Sequence, residues 1–385
     1  MSTPVGTKNK VAVAMSGGVD SSVAALLLKQ QGHDLIGISM QVWDYRGQGG
    51  SKSRATCCAP DDFADARKVA GAIDVPYYVF DFENTFRAQV IDTFVSTYQR
   101  GMTPNPCVEC NNKVKFRELR DRVLGFGFGH VATGHYARIE ERSDGFHLLR
   151  GVDADKDQSY FLYGLKQHEL ATTFFPVGHL TKSEVREVAR QAGLTTAEKP
   201  ESQDICFVSG SVQDFLVKLG TARRKGNIIT RDGMKIGEHD GIHNFTVGQR
   251  RGLGVGGSEQ PLYVLELLPE QNLVVVGAKE DLESEGFSIE DPSWLNPQIL
   301  RGIEAEHFPI RMQAIAQLRH RHAGVRVELQ IDSVTSAKAR FLEQWATVSP
   351  GQAAVFYDLD NVTTLGGGKI CPRPHPSSFV MAAGA

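Results

Sequence analysis

The sequence predicts an α/β protein in three parts: a parallel-sheet domain over residues 1–212, a small mixed domain over 213–283 and a β-barrel domain over 284–385. Three observations carry this reading. A glycine turn, Ser16-Gly17-Gly18-Val19-Asp20-Ser21-Ser22, directly follows the apolar run Val11–Ala14. Apolar strand patterns then alternate with helical patterns to about residue 210, the order that parallel strands joined by helices produce. From Gly286 the helical periodicity fades and short, evenly spaced strands take over, which argues for a small barrel or sandwich.

Taken in order, Val11–Ala14 is the first strand and Val23–Gln31 a helix, with the glycine turn between them. Glycine lets the backbone approach an anion closely, and the first unpaired N–H groups of the helix point at it. Ser16, Ser21 and Ser22 add hydroxyl donors, while Asp20 suits Mg²⁺ better than phosphate. Neither the dinucleotide GxGxxG pattern nor the GxxxxGK[ST] loop fits, because no lysine closes the turn. His33–Gln41 reads as a second strand, Asp61–Gly71 as a helix with acidic residues in its first turn, and Val75–Phe80 as a third strand. Thr85–Arg100 is a helix and Gly129–Thr133 a fourth strand ending at Gly134-His135. Thr181 and Glu184 form a capping box for a helix that runs to Gln191 and stops near Gly193. The glycine turn and Gly134-His135 both follow strands, so both belong at the carboxyl edge of the sheet, where such folds bind ligands.

Gln213–Leu219 is one more helix, and Gly226–Thr230 is a strand before the turn Arg231-Asp232-Gly233. Pro261–Val276 reads as a hairpin turning at Pro269-Glu270-Gln271-Asn272. Beyond it come strands at Gln313–Leu318, Val325–Ile331 and Ala353–Asp358, then a glycine-rich hairpin around Gly366-Gly367-Gly368.

Composition narrows the function classes. The longest purely apolar run, Val23–Leu28, is far too short to cross a bilayer, and the first ten residues contain no apolar signal core. A cytoplasmic protein without membrane attachment is expected. Six cysteines in 385 residues do not make a secreted disulfide framework. A net charge of −3 does not advertise nucleic acid, so any RNA must meet local basic clusters. The candidates are Arg223-Arg224-Lys225, Arg250-Arg251 and Arg319-His320-Arg321-His322.

The segment Thr103-Pro104-Asn105-Pro106-Cys107-Val108-Glu109-Cys110-Asn111 is the second concentration of chemistry. Its cysteines precede a helical pattern over Lys113–Arg120, and a thiol at a helix N-terminus is favoured as thiolate, with Lys113 and Lys115 pushing the same way. Cys206 lies in Glu198-Lys199-Pro200-Glu201-Ser202-Gln203-Asp204-Ile205-Cys206-Phe207. A CxxC also suits structural zinc, but zinc wants four ligands and the other cysteines are scattered. Cys57-Cys58 reads as a loop pair before the Asp61 helix, and Cys371 as structural.

The order SGGxDS after a strand resembles the PP-loop of the ATP-pyrophosphatase family, which cleaves ATP to AMP and pyrophosphate while activating a carbonyl. SGGVDSS, NPCVECNNKVKF, ATGHYAR, DKDQSYFL and SQDICF, followed by HNFTVGQRRGLGVG and PGQAAVFYD, together resemble the tRNA 2-thiouridylase family over essentially the whole chain. That resemblance implies an ATP-dependent sulfurtransferase that adenylates the wobble uridine, position 34, of tRNA and replaces its 2-oxygen with sulfur. It implies an ATP site at Ala14, Met15, Ser16, Gly17, Gly18, Val19, Asp20, Ser21, Met40 and Gly134, with Mg²⁺. Cys206 would carry a persulfide supplied by a sulfur-relay protein, and Cys110 would act as the nucleophile that releases it or forms a Cys110–Cys206 disulfide. Asn105, Pro106 and Cys107 would surround the target base. His135, Lys156, Asp157, Gln158, Arg319, His320 and Gln352 would contact tRNA, bound by a monomer.

Residue 107 departs from the family, whose well-known members have aspartate there; Cys107 offers no carboxylate for acid–base work. A rival reading makes Cys107, Cys110 and Cys206 ligands of a four-iron–four-sulfur cluster whose fourth iron carries the sulfur. An amidotransferase-type PP-loop synthetase would leave Cys110 and Cys206 without work. An RNA-binding module without catalysis is opposed by the intact Ser16, Gly17, Gly18, Asp20 and both cysteines.

Overall fold

The structure, a computed structural model, describes residues 8–43, 60–200, 205–208, 210–255, 260–343 and 346–372. Strands β1 (Lys10–Ala14), β2 (Asp34–Gln41), β3 (Tyr77–Asp81) and β4 (His130–Thr133) are followed by a hairpin, β5 (Ala137–Arg142) and β6 (Gly145–Arg150), and by the short β7 (Thr173–Phe174). The main sheet runs β3-β2-β1-β4-β7, and every pairing in it is parallel. β1 lies at its centre, and Val11, Ala12 and Val13 are buried on both faces. That explains why β1 reads as an apolar run instead of an alternation. One face packs on the helix Val19–Gln30, with Val23, Ala24 and Leu28 inside. The other packs on an aromatic cluster that includes Phe82, Phe86, Phe94, Phe207 and Phe215.

The central part is a four-stranded sheet of β8 (Gly226–Thr230), β9 (Lys235–His239), β10 (Tyr263–Leu268) and β11 (Leu273–Gly277), in the order β10-β11-β8-β9. The hairpin turns at Pro269–Asn272 as its sequence predicts, with Asn272 in the left-handed region at φ 54°. β12 (Glu283–Ser284) then leads into β13 (Gly286–Trp294), β14 (Ile310–Gln317), β15 (Val325–Ile331) and β16 (Ser336–Phe341). A second short strand, β17 (Ala346–Thr347), pairs with β12, and β18 (Ala353–Tyr357) and β19 (Thr364–Ile370) complete the set. β13-β16-β15-β14-β18-β19 closes as a barrel, of the two architectures that short strands allowed. Closure removes the unpaired edges that six short strands would otherwise expose.

Three local expectations are corrected. The helix expected over Thr85–Arg100 begins at Glu83 and passes through a π-helical stretch, Arg87–Ile91. Gly366, Gly367 and Gly368 are inside β19 instead of at a hairpin turn. A Cβ at Gly366 would come 2.7 Å from the Trp294 ring, one at Gly367 2.9 Å from Tyr163, and one at Gly368 2.9 Å from Ile289. Packing, not turning, demands these glycines. The cysteine helix is the third case and belongs to the site.

Candidate active site

The glycine loop leaves the carboxyl end of β1, at the centre of the sheet. Gly17 adopts φ 73°, and a Cβ there would strike the backbone of Asp62. Gly18 is the N-cap of the following helix in extended conformation, without a side chain to cover the first N–H groups. The serines shape the loop: Ser21 Oγ accepts from Ser16 N at 3.1 Å, while Ser21 Oγ and Ser22 Oγ donate to Gly18 O at 3.1 and 2.8 Å. Ser16 itself is exposed. Ala14 and Gly134 close the wall, since β1 and β4 are neighbours with Ala14 opposite Thr133. A Cβ on Gly134 would come 2.6 Å from the Asp20–Ser21 peptide, so only glycine lets β4 end against the helix start. Met15 and Val19 are buried beneath the loop, and Met40 is half-buried at the end of β2.

Asp20 is engaged within the protein. Lys182 Nζ approaches both of its carboxylate oxygens at 2.8 Å, and Tyr136 OH donates to Oδ1 at 2.7 Å. The residue read from sequence as an Mg²⁺ ligand thus has an ammonium group and a phenol beside it. Lys182 is the first residue of the helix Lys182–Gln191, whose capping box between Thr181 and Glu184 forms as predicted. This lysine closes the loop from 162 residues away, and sequence reasoning missed it. The capping box was the available signal, because it fixes which side chain leads the helix. Lys199 adds a second cation nearby, at 2.6 Å from Asp62 and 2.7 Å from Asp65. Burial lowers its tendency to hold a proton, but the two carboxylates outweigh that and raise it.

The cysteines sit inside a helix, not before one. Asn105 is the N-cap, its Oδ1 accepting from Val108 N at 3.3 Å, and Pro106 occupies the first turn. The helical run passes from Pro106–Glu109 through a π-helical stretch, Cys110–Glu118, to Leu119–Gly125. Asn-Pro is a legible start signal, and the helix therefore begins seven residues earlier than expected. Because its end feeds the start of β4, its beginning lies toward the carboxyl edge; Phe116 in its middle packs on the His135 ring at 5.9 Å. Cys107 is exposed, whereas Cys110 is half-buried. Cys110 and Cys206 pack against the same aromatic cluster, which includes Phe94 and Phe207. These two thiols, 96 residues apart in sequence, thus border one core cluster. Cys371 is half-buried beyond β19, where burial followed by Glu290 and Asp291 raises its thiol pKa. Cys57-Cys58 lie outside the described residues.

Among the described residues, no group of three or more His, Cys, Asp or Glu side chains could hold a metal ion.

The remaining candidates divide by burial. His135 is 8% exposed, bonded through Nδ1 to Thr133 Oγ1 at 2.6 Å; burial, then the Lys115 charge, holds its pKa well below the usual value. Asp157 is also 8% exposed, and its carboxylate takes Arg150 Nη1 at 2.6 Å, Ser159 Oγ at 2.9 Å and the N–H groups of Gly151 and Ser159. Gln158 is tied to Tyr136 by bonds in both directions. His320 rests on the Phe161 ring at 4.4 Å, with Nε2 3.4 Å from Asp157 O. Gln352 Nε2 donates to Thr103 O and Pro104 O at 3.1 and 3.3 Å. Lys156 is half-buried, while Arg319, Arg321, Arg223, Arg224, Lys225, Arg250 and Arg251 are exposed and available to phosphate. Arg150, which organises Asp157, carried no signal of its own in the sequence.

Comparison with known proteins now bears on this site. Residues 9–210 match the family model described as tRNA methyl transferase HUP domain, 213–278 the tRNA methyl transferase PRC-barrel domain, and 284–370 the aminomethyltransferase beta-barrel domain. The tRNA-specific 2-thiouridylase MnmA of Geobacter metallireducens is 47% identical over 94% of this chain and 97% of its own length. That of Geotalea uraniireducens is 47% identical over 94% of this chain and 95% of its own. A solved 4-thiouridine synthetase–RNA complex with bound ATP overlaps 56% of this chain and 51% of that one, at 15% identity and a TM-score of 0.33, too loose an overlay to bear on the site. The domain descriptions speak of methyl transfer, but the relatives that match from end to end are thiolating enzymes. The chain belongs to the tRNA-specific 2-thiouridylase family, a family of tRNA sulfurtransferases.

Proposed function

We propose that this chain uses ATP to adenylate the 2-oxygen of the wobble uridine, position 34, of tRNA, and then replaces that oxygen with sulfur carried as a persulfide on Cys206. The observation that carries this reading is the placement of Cys110 and Cys206 against one cluster of the glycine-loop domain. The 2-oxygen of uracil is a poor leaving group, so activation must come first. It attacks the α-phosphorus, pyrophosphate departs, and the oxygen later leaves as part of AMP. ATP is held by Ala14, Met15, Ser16, Gly17, Gly18, Val19, Asp20, Ser21, Met40 and Gly134. ATP arrives as its Mg²⁺ complex, the ion held chiefly by phosphate oxygens. Lys182, beside Asp20, places a positive charge where the phosphate charge develops.

In the second step the terminal persulfide sulfur attacks C2 and AMP leaves. Cys110 thiolate then attacks the Cys206 sulfur, releasing the new thiocarbonyl and forming a Cys110–Cys206 disulfide. An external thiol returns the pair to the reduced state, and a persulfide-bearing relay protein reloads Cys206. Release of hydrosulfide by Cys110 before attack on C2 gives the same products. Asn105, Pro106 and Cys107 line the base, and the exposed basic clusters track the backbone while the base is splayed out. His135, Lys156, Asp157, Gln158, Arg319, His320 and Gln352 frame that surface. The buried ones, His135 and Asp157, shape it from beneath. The work divides over residues 1–212, 213–283 and 284–385, in a cytoplasmic monomer.

The test is trapping. Incubation of Cys110→Ser protein with radiolabelled ATP and unmodified tRNA, without a sulfur donor, should yield pyrophosphate and tRNA-bound AMP. Pyrophosphate release that does not depend on tRNA, or tRNA that carries no AMP, contradicts the adenylation step.

A further inference from the structure

The start of the cysteine helix is gripped by the barrel through contacts that no role above uses. Glu109 lies between Cys107 and Cys110, and its side chain is 10% exposed. Lys113 Nζ meets Oε2 at 2.8 Å from within the helix, and Lys369 Nζ meets Oε1 at 2.9 Å from β19 of the barrel. Burial alone would raise the Glu109 carboxyl, but the two lysines outweigh it and keep the group ionised. Lys369 is itself fixed by ladder pairings to Glu290 on β13 and Ala353 on β18.

The loop before the helix is held by the same barrel edge. Thr103 N donates to Pro350 O at 2.9 Å, and Gln352 takes the Thr103 and Pro104 carbonyls. Gly351 adopts φ 87°, and a Cβ there would come 2.9 Å from Met102 Cβ and Thr103 O, so the two segments touch at backbone distance. Tyr160 OH donates to Ala353 O at 2.9 Å behind them. The loop is therefore clasped by hydrogen bonds; the helix shares an apolar cluster with β18 through Val108 and Phe116, and its charged link to the barrel among the described residues is the Glu109–Lys369 pair.

We propose that Glu109 and Lys369 are positioning residues for sulfur transfer: the barrel holds Glu109 through Lys369 and thereby sets the direction in which Cys110 faces. The pair suits this task because its carboxylate is one residue from the thiol and shielded from water, where charge-assisted bonds are strong and directional. Lys113, four residues along the same helix, cannot report on the barrel; Lys369 can. The proposal rests on the assignment of Cys110 to the transfer.

The test compares wild type with Lys369→Met, Lys369→Arg and Glu109→Gln. Single-turnover thiolation at saturating tRNA, tRNA Kd and iodoacetamide alkylation of Cys110, followed by peptide mass, are read for each. Lys369→Met should slow thiolation by about ten- to a hundredfold, the cost of a misplaced reacting group. Its tRNA Kd should stay at the wild-type value while Cys110 alkylation changes in rate and Cys371 alkylation does not. Lys369→Arg should recover most of the rate, and Glu109→Gln, close in shape, should reproduce the loss. Wild-type thiolation in Lys369→Met or in Glu109→Gln overturns the proposal. So does weakened tRNA binding with unchanged Cys110 alkylation, which would make Lys369 an RNA contact. Thiolation by Cys110→Ser would instead overturn the assignment of Cys110, and the alkylation rates would still decide whether barrel and helix are coupled.

Discussion

Asp20 marks the difference between reading a motif and seeing its surroundings. In sequence it is a bare carboxylate at a helix start; in the structure it carries Lys182 and Tyr136. Lys182 is 12% exposed and Asp20 31%, so the pair is only partly desolvated. Lys182→Met should therefore leave the fold intact but slow AMP formation by roughly a hundredfold, the usual effect of removing one charge-stabilising donor. ATP–pyrophosphate exchange measures it, and an unchanged rate would leave Lys182 a purely structural partner. His135 gives a pH prediction. Its folded pKa is held below 6.5, so it stays neutral while the unfolded chain takes up a proton. Its contribution to stability is complete above pH 6.5 and is lost as pH falls from there toward the folded value. The Cε1–H resonance of His135 should hold its neutral position as pH drops through 6.5, while that of unfolded protein shifts. Titration of both near 6.5 would contradict the burial argument.

The helices and strands were legible to different degrees, for physical reasons. β1 announced itself because a central parallel strand is apolar on both faces, and the Lys182–Gln191 helix because its cap is local. The cysteine helix was placed too late, although Asn105 and Pro106 spell its start. Its π-helical stretch from Cys110 breaks the 3.6-residue period on which helix reading depends. Gly366–Gly368 resembled a turn because the rings that require glycine there come from Trp294 and Tyr163, far away in sequence. Of the candidate site, the glycine loop and both thiols could be found locally; Lys182 and Lys369 could not, because each acts across more than 150 residues, and Arg150, though seven residues from Asp157, is fixed by the distant Gln317 and Asn361. The segment bearing Cys206 depends on Phe207, which is 2% exposed and packs edge-on to Phe86 and Phe94 at 5.5 and 5.3 Å. Phe207→Ala should cost about 3–5 kcal/mol by urea denaturation. Phe207→Leu should cost less and should keep more of the thiolation rate. Equal stability of Phe207→Ala and wild type would mean that this anchor does not hold Cys206.

Across the whole molecule, the glycine-loop domain and the barrel are joined by buried polar contacts, and Arg150 is their hub. From β6 it reaches Asp157 at 2.6 Å, Gln317 at 2.8 Å and Asn361 at 2.9 Å, and lies 3.6 Å over the Tyr357 ring. Arg150→Met leaves the Asp157 carboxylate buried without its cation, a loss of about 3–5 kcal/mol. Denaturation should then separate into a barrel transition and a glycine-loop-domain transition; a single transition at the wild-type midpoint would contradict this role. The Glu109–Lys369 ion pair is a second polar contact between the barrel and the glycine-loop domain. At this scale, what we propose is that Cys206 delivers the sulfur as a persulfide and Cys110 completes its transfer by forming a disulfide. It is tested most directly by single-turnover thiolation of tRNA bearing an unmodified wobble uridine. Iron-free protein, ATP, Mg²⁺ and a persulfide donor are mixed, and product is followed by retardation on a mercury gel. The account predicts product from iron-free wild type and from iron-free Cys107→Ser, and none from Cys206→Ser or Cys110→Ser. Thiolation that appears only after anaerobic iron–sulfur reconstitution, or that survives in Cys206→Ser, would contradict it.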